Sequence, residues 1–394
     1  MTDAITFEPF YGHAVSGERR FPRPDLEQAL LDKLETGAGL RMFSLRRIGK
    51  STLRLHAFQQ LKQSGRPVAF IEGQETDSLS QLLHQIHAEF GEQSWMARAL
   101  KLVGTAPAQA ALKAALAGTG PDHQALSAYW QEITKRITQA LSEQANSPVL
   151  IIDEFAFLLE KILRTDKARG ANDAERLLAS MRVWREHGLT MLLTGSIGII
   201  RLLREHDITM DHLNGLQHLD VPELSEDTAR KFIKAATATA SAGRWTEAHI
   251  DKLIVEVGVF YPSFLVRSIL ELGRENPKPV EQFEDVFENT IRPDQHAEFF
   301  RQFDRRMKSY KSLPNDERQQ IILPVLKNIM TSATAWDQAD LTLRPPFEAD
   351  ELSLALDMLQ EDGFITMVIK GDGRRLWRPA SRLVRLWWTA ARLK

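Results

Sequence analysis

Apolar residues recur along this chain in two alternating patterns, short continuous runs and longer helix-spaced series. The short runs predict strands at residues 40–43, 68–71, 149–152 and 189–194, with residues 218–221 as a fifth candidate. The run at 149–152 is apolar throughout, which is typical of a central parallel strand because both of its faces are buried. Strands that alternate with helices predict an α/β fold, here a parallel sheet of about five strands.

From residue 225 to about residue 292 the pattern is only helical, and the chain divides into regions of different character. An alanine- and glycine-rich stretch at about 95–123 shows no strand pattern and is predicted to be a helical insertion. Between the third and fourth strands we expect a polar loop and then a helix over 174–187. The predicted regions are an N-terminal segment and helix, an α/β core, a helical region and a C-terminal region, at 1–35, 36–222, 223–292 and 293–394.

Composition narrows the function classes. The 394 residues have a formal net charge of −2 and include no cysteine. Disulfides, thiol nucleophiles and cysteine-ligated zinc are therefore excluded, and a reducing compartment is indicated. The N-terminus lacks the pattern of a signal peptide. The longest uncharged stretch, 188–200, is shorter than the roughly 20 apolar residues that span a bilayer. These features predict a cytoplasmic protein without a membrane partner.

A candidate phosphate loop lies between the first predicted strand and the helix that follows it. Backbone N–H groups of such a loop and the helix N-terminus bind nucleotide phosphates. Lys50 is expected to contact the β- and γ-phosphates, and the Ser51 hydroxyl to bind Mg²⁺. Ser44 stands where such loops usually have glycine, and the alternative is an ordinary helix start with a chance Gly-Lys-Ser. The candidate phosphate-binding residues are Ser44, Leu45, Arg46, Arg47, Ile48, Gly49, Lys50, Ser51 and Thr52.

Two acids follow the buried run at 149–152 and resemble the end of a Walker B strand. Asp153 is expected to orient Mg²⁺, and Glu154 to polarise the attacking water as a general base. The alternative is a pair of solvated carboxylates that cap a strand. The order and separation of the two motifs favour a nucleotide site. The absence of an Asn-Lys-x-Asp element favours ATP over GTP.

The next strand ends in two hydroxyl residues, Thr194 and Ser196, on either side of Gly195. Either hydroxyl could contact the γ-phosphate or the attacking water, and both are candidate catalytic residues beside Lys50 and Glu154. The alternative is a strand-end turn that uses Gly195.

The loop 43–51 resembles the Pro-Arg-Arg-x-Gly-Lys loop of the archaeal-type ATPases, which belong to the STAND branch related to AAA+ and origin-recognition ATPases. The resemblance implies a five-stranded core, a helical lid over 223–292, a C-terminal winged helix, and action as a nucleotide-controlled switch or assembly module. Ser44, Leu45 and Ser51-Thr52 depart from the usual loop. Five further stretches carry the resemblance, at 17–24, 152–155, 193–198, 221–225 and 379–388.

The same resemblance suggests further site residues. Pro262 lies where the lid of the family places a proline near the nucleotide, and Arg267 one helical turn later could sense the γ-phosphate. Arg201 and Arg204 follow the fourth strand, where related ATPases place an arginine finger that acts on a neighbouring subunit. For all three arginines the alternative is a surface or salt-bridge role.

The C-terminal region predicts helices at 314–331 and 348–360, then strands at 363–369 and 375–378 joined by a Gly-Asp-Gly turn. Helices followed by a hairpin favour a winged helix. Residues 370–394 interleave tryptophans with cations, which is compatible with DNA binding. The alternative is a protein-docking module whose core contains Trp377, Trp387 and Trp388. From 363 onward one acid, Asp372, accompanies eight basic residues, Lys370, Arg374, Arg375, Arg378, Arg382, Arg385, Arg392 and Lys394.

Three hypotheses follow from these motifs. The first is a Mg²⁺-dependent ATPase that acts as a switch, with self-association or a protein partner. The second is a DNA-binding initiator or loader that uses the basic C-terminal region. The third is a nucleotide-bound scaffold with little turnover.

Overall fold

The computed structural model describes residues 7–9, 11, 15, 17–91, 95–118, 123–164, 167–196, 198–238, 245–313, 318–342 and 349–392. Parts of several predicted features lie outside these residues. They include residues 119–122 of the predicted insertion, residues 314–317 and 348 of two predicted helices, Ile197 of the strand-end motif and Lys394 of the basic C-terminus.

The chain forms two compact units. One comprises residues 24–43 and 56–220, here called the sheet unit, and the other comprises residues 1–23, 44–55 and 221–394, here called the C-terminal unit. The candidate phosphate loop belongs to the C-terminal unit by its contacts, although it directly follows a strand of the sheet unit in the chain. The predicted domain boundaries stay predictions.

The sheet unit is built on a five-stranded parallel sheet in the order β2-β3-β4-β1-β5. The α/β prediction is confirmed. Both β3 and β4 are buried along their whole length, as the apolar runs predicted. Because all five strands are parallel, their carboxyl ends meet at one edge, where ligands bind in open α/β sheets. The strands are Gly39–Phe43 (β1), Val68–Glu72 (β2), Val149–Asp153 (β3), Thr190–Gly195 (β4) and Leu216–His218 (β5).

Helices surround this sheet. The helical prediction for the stretch after residue 95 is confirmed, since α4 and α5 bury alanines and leucines. The α-helices described between residues 24 and 205 are Pro24–Glu35 (α1), Lys50–Gln63 (α2), Leu79–Phe90 (α3), Trp95–Leu102 (α4), Ala106–Leu116 (α5), His123–Ala128 (α6), Trp130–Ser142 (α7), Phe155–Arg164 (α8), Lys167–Glu186 (α9) and Ile200–Glu205 (α10).

The prediction of a polar loop after β3 is wrong. Helix α8 begins at Phe155 and buries an apolar face with helical spacing, including Leu158, Leu159 and Ile162. The chain then turns back into α9, which starts well before residue 174. Gly170 permits this close packing, because a β-carbon there would lie 2.6 Å from the backbone oxygen of Ile162.

The C-terminal unit is mainly helical and ends in a small sheet. The predicted hairpin is confirmed, because β7 and β8 pair antiparallel, and a short strand β6 adds to the other side of β8. Its elements are Glu226–Thr237 (α11), Glu247–Val257 (α12), Pro262–Leu272 (α13), Phe283–Val286 (α14), Arg292–Ser309 (α15), Leu323–Thr331 (α16), Trp336–Asp337 (β6), Gln338–Thr342 (α17), Ala349–Glu361 (α18), Ile365–Ile369 (β7), Arg375–Pro379 (β8) and Arg382–Arg392 (α19).

An aromatic cluster forms the core of this last region. The rings of Phe303, Phe364 and Trp387 lie 5.3–5.7 Å apart between centroids. Trp377 and Trp388 are also buried, and the Trp387 indole N–H donates to Asp304 Oδ1 at 3.0 Å. The three tryptophans are thus core residues, not exposed stacking surfaces. The winged-helix assignment of 293–394 stays a prediction.

Candidate nucleotide-binding site

The candidate phosphate loop follows β1 without an intervening residue and ends where α2 begins at Lys50. Two of its residues adopt left-handed backbone conformations, Arg47 with φ 66° and Gly49 with φ 104°. Backbone that alternates in this way turns successive N–H groups toward one point and forms an anion-binding concavity. A glycine suits the second position because L-residues rarely adopt such a φ.

Lys50 lies within this loop. Its ammonium group donates to the carbonyl oxygens of Ser44 at 2.8 Å and Leu45 at 2.7 Å, and its side chain is buried. A buried cation needs such partners, since desolvation without hydrogen bonds is costly. The loop therefore encloses one positive charge at the N-terminus of a 14-residue helix, where the helix dipole also favours an anion.

The loop is joined to other parts of the C-terminal unit. Arg23 donates to the carbonyl oxygens of Ile48 at 3.5 Å and Pro222 at 2.8 Å. Pro262 lies beside the loop, since a β-carbon on Gly49 would be 3.9 Å from its Cγ. The loop thus lies beside the start of α13, which is part of the predicted lid.

Two further residues of the C-terminal unit bind Arg47. Its carbonyl oxygen accepts a hydrogen bond from Ser263 Oγ at 3.0 Å, and its guanidinium pairs with Glu298 at 2.6 Å. The sequence analysis missed Ser263 and Glu298, because no motif marks them and both are distant from the loop in the chain.

The departure of Leu45 from the usual loop has a structural counterpart. Leu45 is 2% exposed, although it lies in a loop. A β-carbon on Gly363 would be 3.1 Å from Leu45 Cγ, and Gly363 has φ 71°. The side chain of Leu45 therefore packs against the backbone that connects α18 to β7.

The sheet unit carries the two acids and the two hydroxyls. Asp153 ends β3, and its Oδ1 accepts hydrogen bonds from the Thr194 hydroxyl and from the Glu154 N–H at 3.0 Å. Asp153 is buried, so these donors offset its desolvation. Because β4 lies beside β3, Thr194 orients the carboxylate at the sheet edge.

Glu154 adopts a left-handed conformation with φ 47°. Its Oε2 accepts hydrogen bonds from the Ser196 N–H at 2.9 Å and the Ser196 hydroxyl at 3.0 Å. A non-glycine residue with positive φ is strained, and such strain concentrates at functional sites. The hydroxyls of Thr194 and Ser196 thus lie against the two acids, an arrangement that the sequence motifs did not predict.

Gly73 makes room for these acids. A β-carbon there would lie 2.7 Å from the Asp153 carbonyl oxygen and 2.8 Å from that of Glu154. Any other residue would displace the backbone that positions both carboxylates. The Gly-Gln-Glu sequence after β2 was the available signal for this close approach.

Three arginines were candidates for sensing or finger roles. Arg267 on α13 pairs with Asp294 at 2.5 Å. Arg201 pairs with Glu205 one turn later on α10, and Arg204 lies on the same helix. These contacts correspond to the salt-bridge alternative for Arg201 and Arg267. The sensor and finger roles stay predictions.

Mg²⁺ is the ion that such a site implies. Asp153 and Ser51 offer the carboxylate and hydroxyl oxygens that this hard cation prefers alongside phosphate oxygens and water. Among the described residues, no group of three or more histidine or acidic side chains is arranged to hold a metal ion without such help. Each of these two oxygen donors suits Mg²⁺ chemically, and their use together in one site stays a prediction.

The predicted basic surface is exposed where it is described. Lys370, Arg375, Arg378, Arg382 and Arg385 are all exposed. Arg374 differs, because it pairs with Asp372 at 2.7 Å and lies 3.7 Å from Asp337.

In the part of the chain that the structure covers, no helix combines the length and apolarity needed to cross a bilayer.

Comparison with known proteins supports the nucleotide-site interpretation. The family model for the AAA domain matches residues 45–203, which span the phosphate loop and both strand ends. No curated protein matches the chain. Assignment to the STAND branch stays a prediction.

Solved structures of nucleotide-related proteins are similar to this chain to different degrees, and one of them reaches a TM-score above 0.5. The Walker-type ATPase of Pyrococcus abyssi has 17% identity and a TM-score of 0.52, with 98% of this chain and 99% of that chain covered. The ORC2 protein of Aeropyrum pernix in its ADPNP-ADP complexes has 16% identity and a TM-score of 0.43, with 100% and 99% covered. Cdc6p of Pyrobaculum aerophilum has 11% identity and a TM-score of 0.41, with 99% and 97% covered. Residues 45–203 thus match the AAA domain, and the chain shares its fold with the Walker-type ATPase of Pyrococcus abyssi.

Proposed function

We propose that this protein binds ATP with Mg²⁺ at the phosphate loop, hydrolyses it slowly and uses the nucleotide as a conformational switch. The observation that supports binding is the loop itself, with left-handed Arg47 and Gly49 and the buried Lys50 ammonium. Nucleotide phosphates would replace the loop carbonyls as partners of Lys50. This exchange favours binding, because an ammonium–phosphate contact pairs opposite charges.

For hydrolysis, Glu154 takes a proton from the water that attacks the γ-phosphorus. The new bond is from the water oxygen to phosphorus, the bond to the β-γ bridging oxygen breaks, and ADP and phosphate leave. Asp153 and Ser51 would hold Mg²⁺, which would neutralise charge on the phosphate oxygens. Two hydrogen bonds from Ser196 to Oε2 restrain the orientation of the Glu154 carboxylate. This restraint favours slow turnover.

The proposed switch depends on contacts between the phosphate loop and other parts of the C-terminal unit. Ser263 and Glu298 bind Arg47, and Leu45 packs against Gly363. A ligand shifts a conformational equilibrium only if it binds one state better than the other. Phosphates that reshape the loop would alter these contacts, so ATP and the position of the C-terminal elements would be coupled.

The test compares Lys50→Ala and Glu154→Gln in the full chain. Calorimetry should show that Lys50→Ala abolishes ATP binding, whereas Glu154→Gln binds ATP and loses turnover by roughly 10²–10⁴-fold. Lys62→Ala on the same helix and Glu160→Gln on α8 are matched controls that should behave like wild type. Circular dichroism verifies the fold of each variant.

Unchanged ATP affinity in Lys50→Ala would refute the loop assignment. Wild-type turnover in Glu154→Gln would refute the role of Glu154 as the base. Binding without measurable turnover in the wild-type chain would instead support the scaffold hypothesis.

A further inference from the structure

An arginine-lined cavity lies within the C-terminal unit, on the side of the phosphate loop that faces α13 and α15. Its volume is about 440 Å³, within the range of small-molecule sites. The wall contains five arginines, Arg46, Arg47, Arg267, Arg301 and Arg305. So many cations around one cavity contrast with a chain whose formal net charge is −2.

Two of these arginines have acidic partners in the wall. Arg47 pairs with Glu298 and Arg267 with Asp294. For Arg46, Arg301 and Arg305, no carboxylate of the described residues lies within ion-pairing distance. The cavity therefore has an excess of positive charge.

The spacing of Arg301 and Arg305 adds to this excess. They are four residues apart on α15, and both are exposed. Like charges at this spacing repel each other and destabilise a helix. An anion between the two guanidinium groups would convert repulsion into attraction.

The chemistry of the wall suits a multiply charged oxyanion such as phosphate. Arginine presents a planar fork of N–H donors that matches phosphate oxygens in a bidentate manner. Tyr11 orients two of the forks, with its ring centroid 4.7 Å from Arg47 Cζ and 5.9 Å from Arg267 Cζ. Three further arginines line the same wall, and together the five guanidinium groups provide enough donors for more than one phosphate group.

We propose that this cavity binds a soluble oligophosphate, that is, two or more linked phosphate groups, at a site separate from the one that contains Lys50. Arg301 and Arg305 would hold one phosphate and Arg46 the next. The ligand would bind from solution and would not be the phosphate tail of ATP held in the loop.

The experiment uses tripolyphosphate and calorimetry on the full chain carrying Lys50→Ala, which removes the proposed ATP site. Tripolyphosphate should still bind this variant. Adding Arg301→Gln and Arg305→Gln should weaken binding by roughly ten- to hundredfold, as expected for lost hydrogen bonds to charged groups. Lys308→Gln with Lys311→Gln is the matched control, because it removes two exposed charges of the same region that do not line the cavity.

A complementary arm measures ATP affinity in the chain with an intact loop. The double variant at Arg301 and Arg305 should bind ATP with wild-type affinity, since those residues serve a separate ligand. Arg46→Gln in the Lys50→Ala chain tests the contribution of the phosphate-loop residues to the cavity and should also weaken tripolyphosphate binding. Thermal unfolding verifies that each variant is folded.

Three results would overturn the proposal. Loss of all tripolyphosphate binding in Lys50→Ala would assign the phosphates to the nucleotide loop alone. A matching fall in ATP affinity in the double arginine variant would make the cavity part of the ATP site. Equal weakening of tripolyphosphate binding in the Lys308→Gln, Lys311→Gln control would show that the effect comes from the net charge of the protein and not from the cavity. None of these depends on whether the chain hydrolyses ATP.

Discussion

Glu223 shows how one buried side chain can make stability depend on pH. Burial raises the pKa of the Glu223 carboxyl, although the Phe260 N–H donates to its Oε2 at 3.3 Å and Arg382 lies nearby. A carboxyl with a raised pKa favours the protonated form in the folded state. At neutral pH the chain therefore bears the cost of a half-buried charge.

We predict that Glu223→Gln raises the thermal midpoint at pH 7. The amide oxygen can still accept from Phe260, but no charge is buried. The direction of the pH dependence follows from linkage. At a pH below the pKa that Glu223 has in the unfolded chain, its carboxyl is protonated in both the folded and the unfolded state. The advantage of the variant should thus shrink as the pH falls toward that value, and it should grow as the pH rises through the raised pKa. Glu281→Gln, on an exposed residue, is the control. A variant less stable than wild type at pH 7 would show that the ionised form is favoured by its surroundings.

The two acids after β3 illustrate what residue identity does and does not reveal. Their position after a buried strand was readable, because a run of apolar residues followed by acids is a local pattern. Their hydrogen bonds to Thr194 and Ser196 were not, since these depend on which strand lies beside β3. The left-handed conformation of Glu154 likewise has no signature in the residue itself.

At the scale of elements, Leu45 connects the phosphate loop to the backbone between α18 and β7, where it packs against Gly363. We predict that Leu45→Ala lowers the free energy of unfolding by roughly 2–5 kcal/mol, the usual cost of truncating a buried leucine. If the contact couples the loop to the C-terminal elements, ATP affinity should change as well. Leu383→Ala, a buried leucine on α19, should destabilise to a similar degree without changing ATP affinity. Calorimetry and chemical denaturation measure the two effects, and equal ATP affinity in both variants would contradict the coupling.

Helices and strands differed in how well they could be predicted. Strand positions were accurate to within a few residues, because the apolar runs of the buried strands β3 and β4 are short and sharply bounded. The sequence pattern did not predict helix α8, because its apolar residues follow the two acids directly. The close approach of α9 at Gly170 follows from the packing of two helices and not from either sequence alone.

For the whole molecule, the distribution of charge raises the question of DNA binding. The exposed cations of the C-terminal end lie in a region with one acid, within a chain of formal net charge −2. If this surface binds duplex DNA, affinity should fall with salt, with a slope of about −0.9 per contacted phosphate. The buried tryptophans leave phosphate contacts, not base stacking, as the source of affinity.

We predict that Lys370→Gln with Arg375→Gln, on the two sides of the hairpin turn, weakens duplex binding by the full chain to all sequences alike and makes the salt slope shallower. Lys308→Gln with Lys311→Gln is again the matched control. A titration of labelled duplex at two salt concentrations measures both quantities. The absence of binding at the lower salt concentration would favour the docking-module alternative.

Local sequence was sufficient to identify the α/β sheet, the phosphate loop and the acids after β3, because each is encoded by neighbouring residues and by their order along the chain. The partners of those residues were decided by tertiary structure. Arg47 meets Glu298, Leu45 meets Gly363, and Glu154 meets Ser196 across separations that no periodicity records. The arginine-lined cavity is the clearest case. Its arginines come from three separate stretches of the chain, and only folding brings their charges together.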